Sequence, residues 1–210
     1  VDNRIAVTNE KDIVSTSNAD GAIGIMAKQS KVTNAAAGKI ELEGKTSVGI
    51  YGTVKSVLQN LGTIHLKNTA NDSKSVGMLS DGKTITNDGT IKMSGGASAG
   101  LLGKNGATVT NNTSGTITVE GQKSAAIYTE NSTPVNKGTI NVEGEESAGI
   151  FAKNTDNKDY TIENTGTINL KGTATPPGTQ SAGIYAELGS GAGKTTVYNK
   201  NDIVVGQESS

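Results

Sequence analysis

Cut at its Gly-Thr-Ile tripeptides, the chain falls into copies of one short unit, and a short repeating unit must bury its apolar side chains against its own neighbours. In each copy an element of the form V-x-N leads into G-T-I-x-V-x-G, and S-A-G-I-Y follows. Val32 to Asn34 leads to Gly38-Lys39-Ile40-Glu41-Leu42, then Ser47-Val48-Gly49-Ile50-Tyr51. Val135-Asn136 leads to Gly138-Thr139-Ile140-Asn141-Val142, then Ser147-Ala148-Gly149-Ile150-Phe151. The key isoleucines stand at 13, 40, 64, 91, 117, 140, 168 and 203, giving spacings of 27, 24, 27, 26, 23, 28 and 35 residues. The period is therefore about 26 and variable, where a heptad would be strict.

Within each unit the apolar residues alternate with period two, as in Ile64/Leu66 and Ile117/Val119, which is strand spacing. β-branched Val, Ile and Thr fill these segments, and Gly, Asn and Asp separate them. No stretch reads as a helix. The expected fold is all-β: a parallel β-helix, or β-solenoid, of about eight coils. At roughly 4.8 Å per coil it would make a rod roughly 35–40 Å long. We expect residues 1–210 to form a single β-helix segment, a fragment of a longer repeat array.

The repeats align residues into columns. Asn34, Asn60, Asn87, Asn111, Asn136, Asn164 and Asn199, with Asn9 at the start, share one register. Asn tolerates a left-handed corner, and stacked amides can hydrogen-bond along a rod, so an internal or corner Asn ladder is expected. The competing reading, glycosylation, has acceptor motifs only at Asn71, Asn111, Asn112 and Asn131. In S-A-G-I-Y, simple alternation points the Ala or Val and the Ile inward. Gly, and the apolar position after Ile, would then face outward. That position holds Met26, Tyr51, Leu79, Leu102, Tyr128, Phe151 and Tyr185. Tyr51, Tyr128, Phe151 and Tyr185 are therefore a candidate ligand-contact stripe, against the plainer readings of a bend that hides them or a self-stacked ladder.

The chain has no Cys and one His (His65), which excludes disulfides, thiol catalysis and Cys- or His-cluster metal sites. With 19 basic and 20 acidic residues there is no electrostatic case for nucleic acid or an anionic membrane. No apolar run approaches a membrane span, so no membrane insertion by this segment is expected. Catalysis on a solenoid wants carboxylates gathered at one register. Glu43, Glu120 and Glu143 share one, but Lys67, Ser94 and Lys171 hold it in other coils. No catalytic, cofactor-binding or metal residue is assigned, and a non-enzyme is expected. Gly189-Ser190-Gly191-Ala192-Gly193-Lys194-Thr195 imitates a phosphate-binding loop, but Leu188 stands where the first Gly belongs and a strand follows. Longer polar loops are expected at 152–161, 173–180 and 186–196. They make Asp156, Tyr160, Pro176, Pro177 and Lys194 candidate binding-loop residues.

From about Val7 to Val205, the N-x-G-T-I-x-V-x-G-x-x-S-A-G-I-Y pattern resembles the passenger regions of monomeric (type V) autotransporter adhesins of Gram-negative bacteria, with the fusobacterial outer-membrane adhesins similar in style. The resemblance implies a right-handed parallel β-helix displayed at the cell surface or outer membrane, or secreted. It also implies a non-catalytic role in attachment, with a surface protein or glycan of host cells or other bacteria as partner. No family residue is catalytic, so none is carried over. Alternatives are a carbohydrate-active enzyme or toxin arm on the same scaffold, and a self-associating structural rod.

Overall fold

A computed structural model describes residues 4–15, 19–53, 55–172 and 180–207. The chain winds as a parallel β-solenoid with three strands per coil, and no described residue is helical. One coil illustrates the rest: Val57–Asn60, Thr63–Leu66, then Val76–Asp81. Each strand pairs in parallel with the strand three elements earlier and three later. This builds a first sheet of eight strands, a second of eight and a third of seven. Registers are kept in full, as in Ile40↔Ile64 and Ile64↔Ile91↔Ile117.

The expected eight coils is slightly too many. The opening coil is capped on one side only, and its Val7, Ile13 and Ile25 stay partly exposed. The closing one has no described third strand. About six turns between them are stacked on both sides. Their Ile, Leu, Val and Met side chains form one continuous interior, with Ile40, Ile64, Ile91, Ile117, Ile140 and Ile168 all fully buried. Pro134, not Val135, takes the core position of the first sheet in its coil, opposite Val109.

The loops are shorter than expected. Residues 152–154 and 160–161 belong to strands Ala148–Asn154 and Tyr160–Asn164, so only 155–159 is loop. Ala186 to Leu188 extend the third sheet by pairing with Ala152 to Asn154, and Thr195 and Thr196 pair with Tyr160 and Thr161. That leaves 189–194 as the turn. It runs into a strand, which removes the phosphate-loop likeness. The 173–180 loop, with Pro176 and Pro177, lies outside the described residues save for Gln180.

Simple alternation fails in the third sheet. In Val48–Thr53 both Gly49 and Ile50 are buried, so Val48, Tyr51 and Thr53 face out. Gly49 therefore points inward, contrary to expectation. A Cβ there would meet Ile64 Cγ2 at 2.7 Å and the Gly77 carbonyl oxygen of the next coil at 2.5 Å. Val or Ala before it faces outward rather than into the core.

The corners also depart from the reading of Asn as the left-handed residue. No ladder Asn has positive φ. Thr46, Lys74, Ala97, Lys123 and Glu146 do, in one column at φ 52–57°. The NH groups of Thr46, Lys74, Ala97 and Lys123 bond to a carbonyl in the following coil, such as Lys74 N to Gly96 O and Ala97 N to Gln122 O, and this fixes the turn whatever the side chain.

Candidate functional site

Two polar ladders set the shape on which any site is displayed. Each Asn side chain of the aligned column donates to the next one along: Asn9 to Asn34, Asn34 to Asn60, Asn60 to Asn87 and Asn87 to Asn111, each at 2.8 Å. Asn111, Asn136 and Asn164 continue it to Asn199 at 2.7–2.9 Å. The same amides also donate to a Gly carbonyl of their own coil, Asn60 to Gly62 O at 3.1 Å. Asn111 is fully buried, which leaves no room for glycosylation there. A second ladder was not anticipated. Backbone NH groups of Ser47, Ser75, Ser98, Ser124 and Ser147 each donate to the Ser hydroxyl of the following coil, at 3.0–3.3 Å. The aligned Ser of S-A-G-I was the signal for it.

The stripe residues lie on the outer face of the third sheet. Met26 is 65% and Tyr185 48% exposed, while Tyr51, Leu79, Leu102, Tyr128 and Phe151 are half-buried. Tyr128 stacks on Phe151 with centroids 5.0 Å apart and planes 4° apart. Phe151 stacks on Tyr185 at 5.0 Å and 25°. The stripe is thus both outward-facing and self-stacked, because parallel register sets identical positions one coil apart. Beside it runs a trough of about 380 Å³. Val76, Ala99, Ala125 and Ala148 line it, with Leu102, Tyr128 and Phe151 on one side and Lys74, Ala97 and Lys123 on the other. A further 240 Å³ continues it past Ala182 and Tyr185.

Asp156, Tyr160 and Lys194 meet at the adjoining corner. Tyr160 Oη donates to Asp156 Oδ2 at 2.9 Å, and burial together with this carboxylate pushes the phenol up to about 12. Lys194 is joined through its backbone: its NH donates to Asp159 Oδ1 at 2.8 Å, and Tyr160 N donates to Lys194 O at 2.9 Å.

The second sheet carries a charged network around the single histidine. His65 Nε2 lies 3.2 Å from Ser94 Oγ, and Ser94 Oγ donates to Glu120 Oε2 at 2.8 Å. His65 Nδ1 is 4.0 Å from Glu41 Oε1, beyond hydrogen-bond length. Lys39 and Lys67 each lie 2.9 Å from Glu41 and hold its carboxyl below the usual range. At Glu120, burial alone would raise the carboxyl, but bonds from Lys92 and Ser94 bring it down. Burial first, then Lys92 and Lys67, lowers His65. The Ser94 proton is thus committed to Glu120 and burial disfavours the charged imidazole, in an arrangement that differs from a nucleophile–base pair. Among the described residues no three His, Asp or Glu side chains converge as metal ligands.

A family described as the BigA third pectate lyase-like domain matches residues 1–115. No curated protein and no solved structure matches the chain. The match runs from the first strands into the fifth coil, through the same Asn, Gly and Ile columns that the later coils repeat. The chain belongs to the family of BigA third pectate lyase-like domains.

Proposed function

We propose that this β-helix is a non-catalytic adhesive segment, stalk or binding face, of a surface-exposed bacterial protein of autotransporter-passenger type, held at the outer membrane or secreted. It attaches the cell to a protein or glycan on host cells or other bacteria. The observation that carries this reading is the third-sheet face, where a half-buried, partly aromatic ridge flanks a trough floored by small, largely buried side chains along the rod. The outward positions of the second sheet, by contrast, are polar or charged: Glu41, His65, Lys92, Thr118, Asn141 and Asn169. Long apolar patches on a soluble face mark interaction sites. The match to the BigA third pectate lyase-like domain family fits a surface β-helix of this kind.

The test is binding of the segment to host cells, partner bacteria and glycan arrays. It compares the parent chain with Tyr128→Ala/Phe151→Ala and with chains lacking 173–180 or shortened across 189–194. Loss of binding in any of these variants locates the contact. A parent chain that binds nothing refutes the binding-face reading and leaves the segment a stalk. The alternative is a carbohydrate-active enzyme on the same pectate lyase-like scaffold. Formation of unsaturated product from polygalacturonate would establish it in place of ours.

A further inference from the structure

The outer face of the third sheet carries four columns, and their order along the strand is a palindrome. A corner residue is followed two positions on by a trough residue, three further by a ridge residue, and two further by an outer residue. In successive coils these are 97, 99, 102, 104; then 123, 125, 128, 130; then 146, 148, 151, 153. A half-turn about the rod axis exchanges corner with outer and trough with ridge. Two copies laid face to face by that rotation, pointing the same way and at the same height, would seat each ridge in the other's trough. The sizes match: Tyr128, Phe151 and Tyr185 would enter above Ala125, Ala148 and Ala182, and Leu79 above Val76.

The charges match as well. Corner and outer residues of the same coil become neighbours across the pair. Asp81 meets Lys74, Glu130 meets Lys123, Lys153 meets Glu146, and Lys104 meets the neutral Ala97. No coil sets like against like. Within one chain these charges pair only along the rod, Lys104–Glu130 and Lys123–Glu146 at 3.5 Å and Lys153–Glu187 at 2.8 Å, and their side chains stay a third to three-fifths exposed. An antiparallel pairing also offers opposite charges, but it sets ridge on ridge and trough on trough. Six coils of about 4.8 Å, across seven residues of about 3.3 Å, present roughly 650 Å² per copy. That approaches the roughly 800 Å² per partner of a stable interface.

We infer that this face is the interface of a parallel, in-register, two-fold dimer of the chain, in which each copy's aromatic ridge fills the other's trough. The arrangement is isologous, so every contact occurs twice. It suits two rods anchored on one surface, and it covers the same ridge and trough as the proposed adhesive contact, so a second copy and a ligand would exclude each other there.

Sedimentation velocity across a concentration series tests it. The parent chain should dimerise. Glu130→Lys sets two lysine pairs in contact and should weaken the dimer by at least about tenfold, and adding Lys123→Glu to the same chain should restore it. The absence of cysteine allows the register to be read directly. Glu130→Cys chains mixed with Lys123→Cys chains should form a mixed disulfide on mild oxidation, whereas Lys104→Cys mixed with Glu130→Cys should not. A chain that stays monomeric, a dimer indifferent to Glu130→Lys, or cross-linking between positions 104 and 130 overturns the proposal. Unchanged circular dichroism and melting in each variant shows that the loss is one of association and not of fold.

Discussion

Replacing Asn87 by Ala is expected to cost the rod about 2–4 kcal/mol. Asn87 is fully buried and donates from one amide to Gly89 O at 3.1 Å and to Asn111 Oδ1 at 2.8 Å. It accepts from Asn60 Nδ2 at 2.8 Å. Gly89 O keeps a second donor, Thr116 N at 2.9 Å, and Asn60 keeps Gly62 O at 3.1 Å. Asn111 Oδ1 loses its ladder donor. One stranded buried acceptor is worth about 1–3 kcal/mol, and, with Gly89 O and Asn60 keeping other partners, the net loss of hydrogen bonding adds about 1. Asn87→Leu fills the space but loses the same bonds, so it should fall in the same range and separate hydrogen bonding from cavity formation. Asn199, exposed and at the end of the ladder, is the internal control, since water replaces its partners; Asn199→Ala should cost at most about 1 kcal/mol. The assay is urea unfolding followed by circular dichroism, with the slope compared to verify that the unfolding unit has not changed. If Asn87→Ala lies within about 0.5 kcal/mol of the parent, or if the two positions cost the same, the ladder is not a stabilising element.

Three further outcomes follow from the same geometry. Gly77→Ala should destabilise by about 1–3 kcal/mol in thermal melting, because its Cβ would meet Gly100 O at 2.5 Å and Ile91 Cγ2 at 2.8 Å; Ala126→Gly, at the one column position already filled, should change stability by less than about 1 kcal/mol. His65 is lowered in the folded chain, so the unfolded chain takes up its proton first, and stability should fall as pH drops through about 6.5. The lowered Glu41 and Glu120 lose their contribution only at lower pH, so a melting-temperature series between pH 7.5 and 5.5 should flatten in His65→Asn; an unchanged slope there removes this account. In an alkaline absorbance titration Tyr160 should ionise near pH 12, and Asp156→Asn should lower it only in part, because burial, the larger cause, remains; a late step that does not move at all in Asp156→Asn removes the carboxylate from this account.

Much of the fold was legible because a solenoid makes one-dimensional order visible. Ile40, Ile64, Ile91 and Ile117 recur at the coil period, and parallel register then stacks them without further information. The Asn column was legible for the same reason. Its chemistry was half legible: the ladder follows from amides one coil apart, but no ladder Asn is left-handed; one left-handed corner column holds Thr46, Lys74 and Lys123, whose identities carry no turn signal, and a second holds Gln29, Lys55, Asn105 and Asn131. Loop lengths were overread at 186–188 and 195–196. Polar residues can extend a strand when the neighbouring coil offers Ala152 to Asn154 and Tyr160 to Thr161 as a template.

Repetition in the chain by itself determined that strands stack in parallel around an Ile-rich interior, because no single coil can dry its own apolar side chains. Only the tertiary structure decided which way the S-A-G-I-Y strand turns its residues. Consecutive buried positions at Gly49 and Ile50 shift the alternation, since the next coil's carbonyl and Ile64 leave room for no side chain at Gly49. That shift puts small residues and aromatic rings side by side on the outside of the rod, and a pattern of twos in the sequence cannot foretell it.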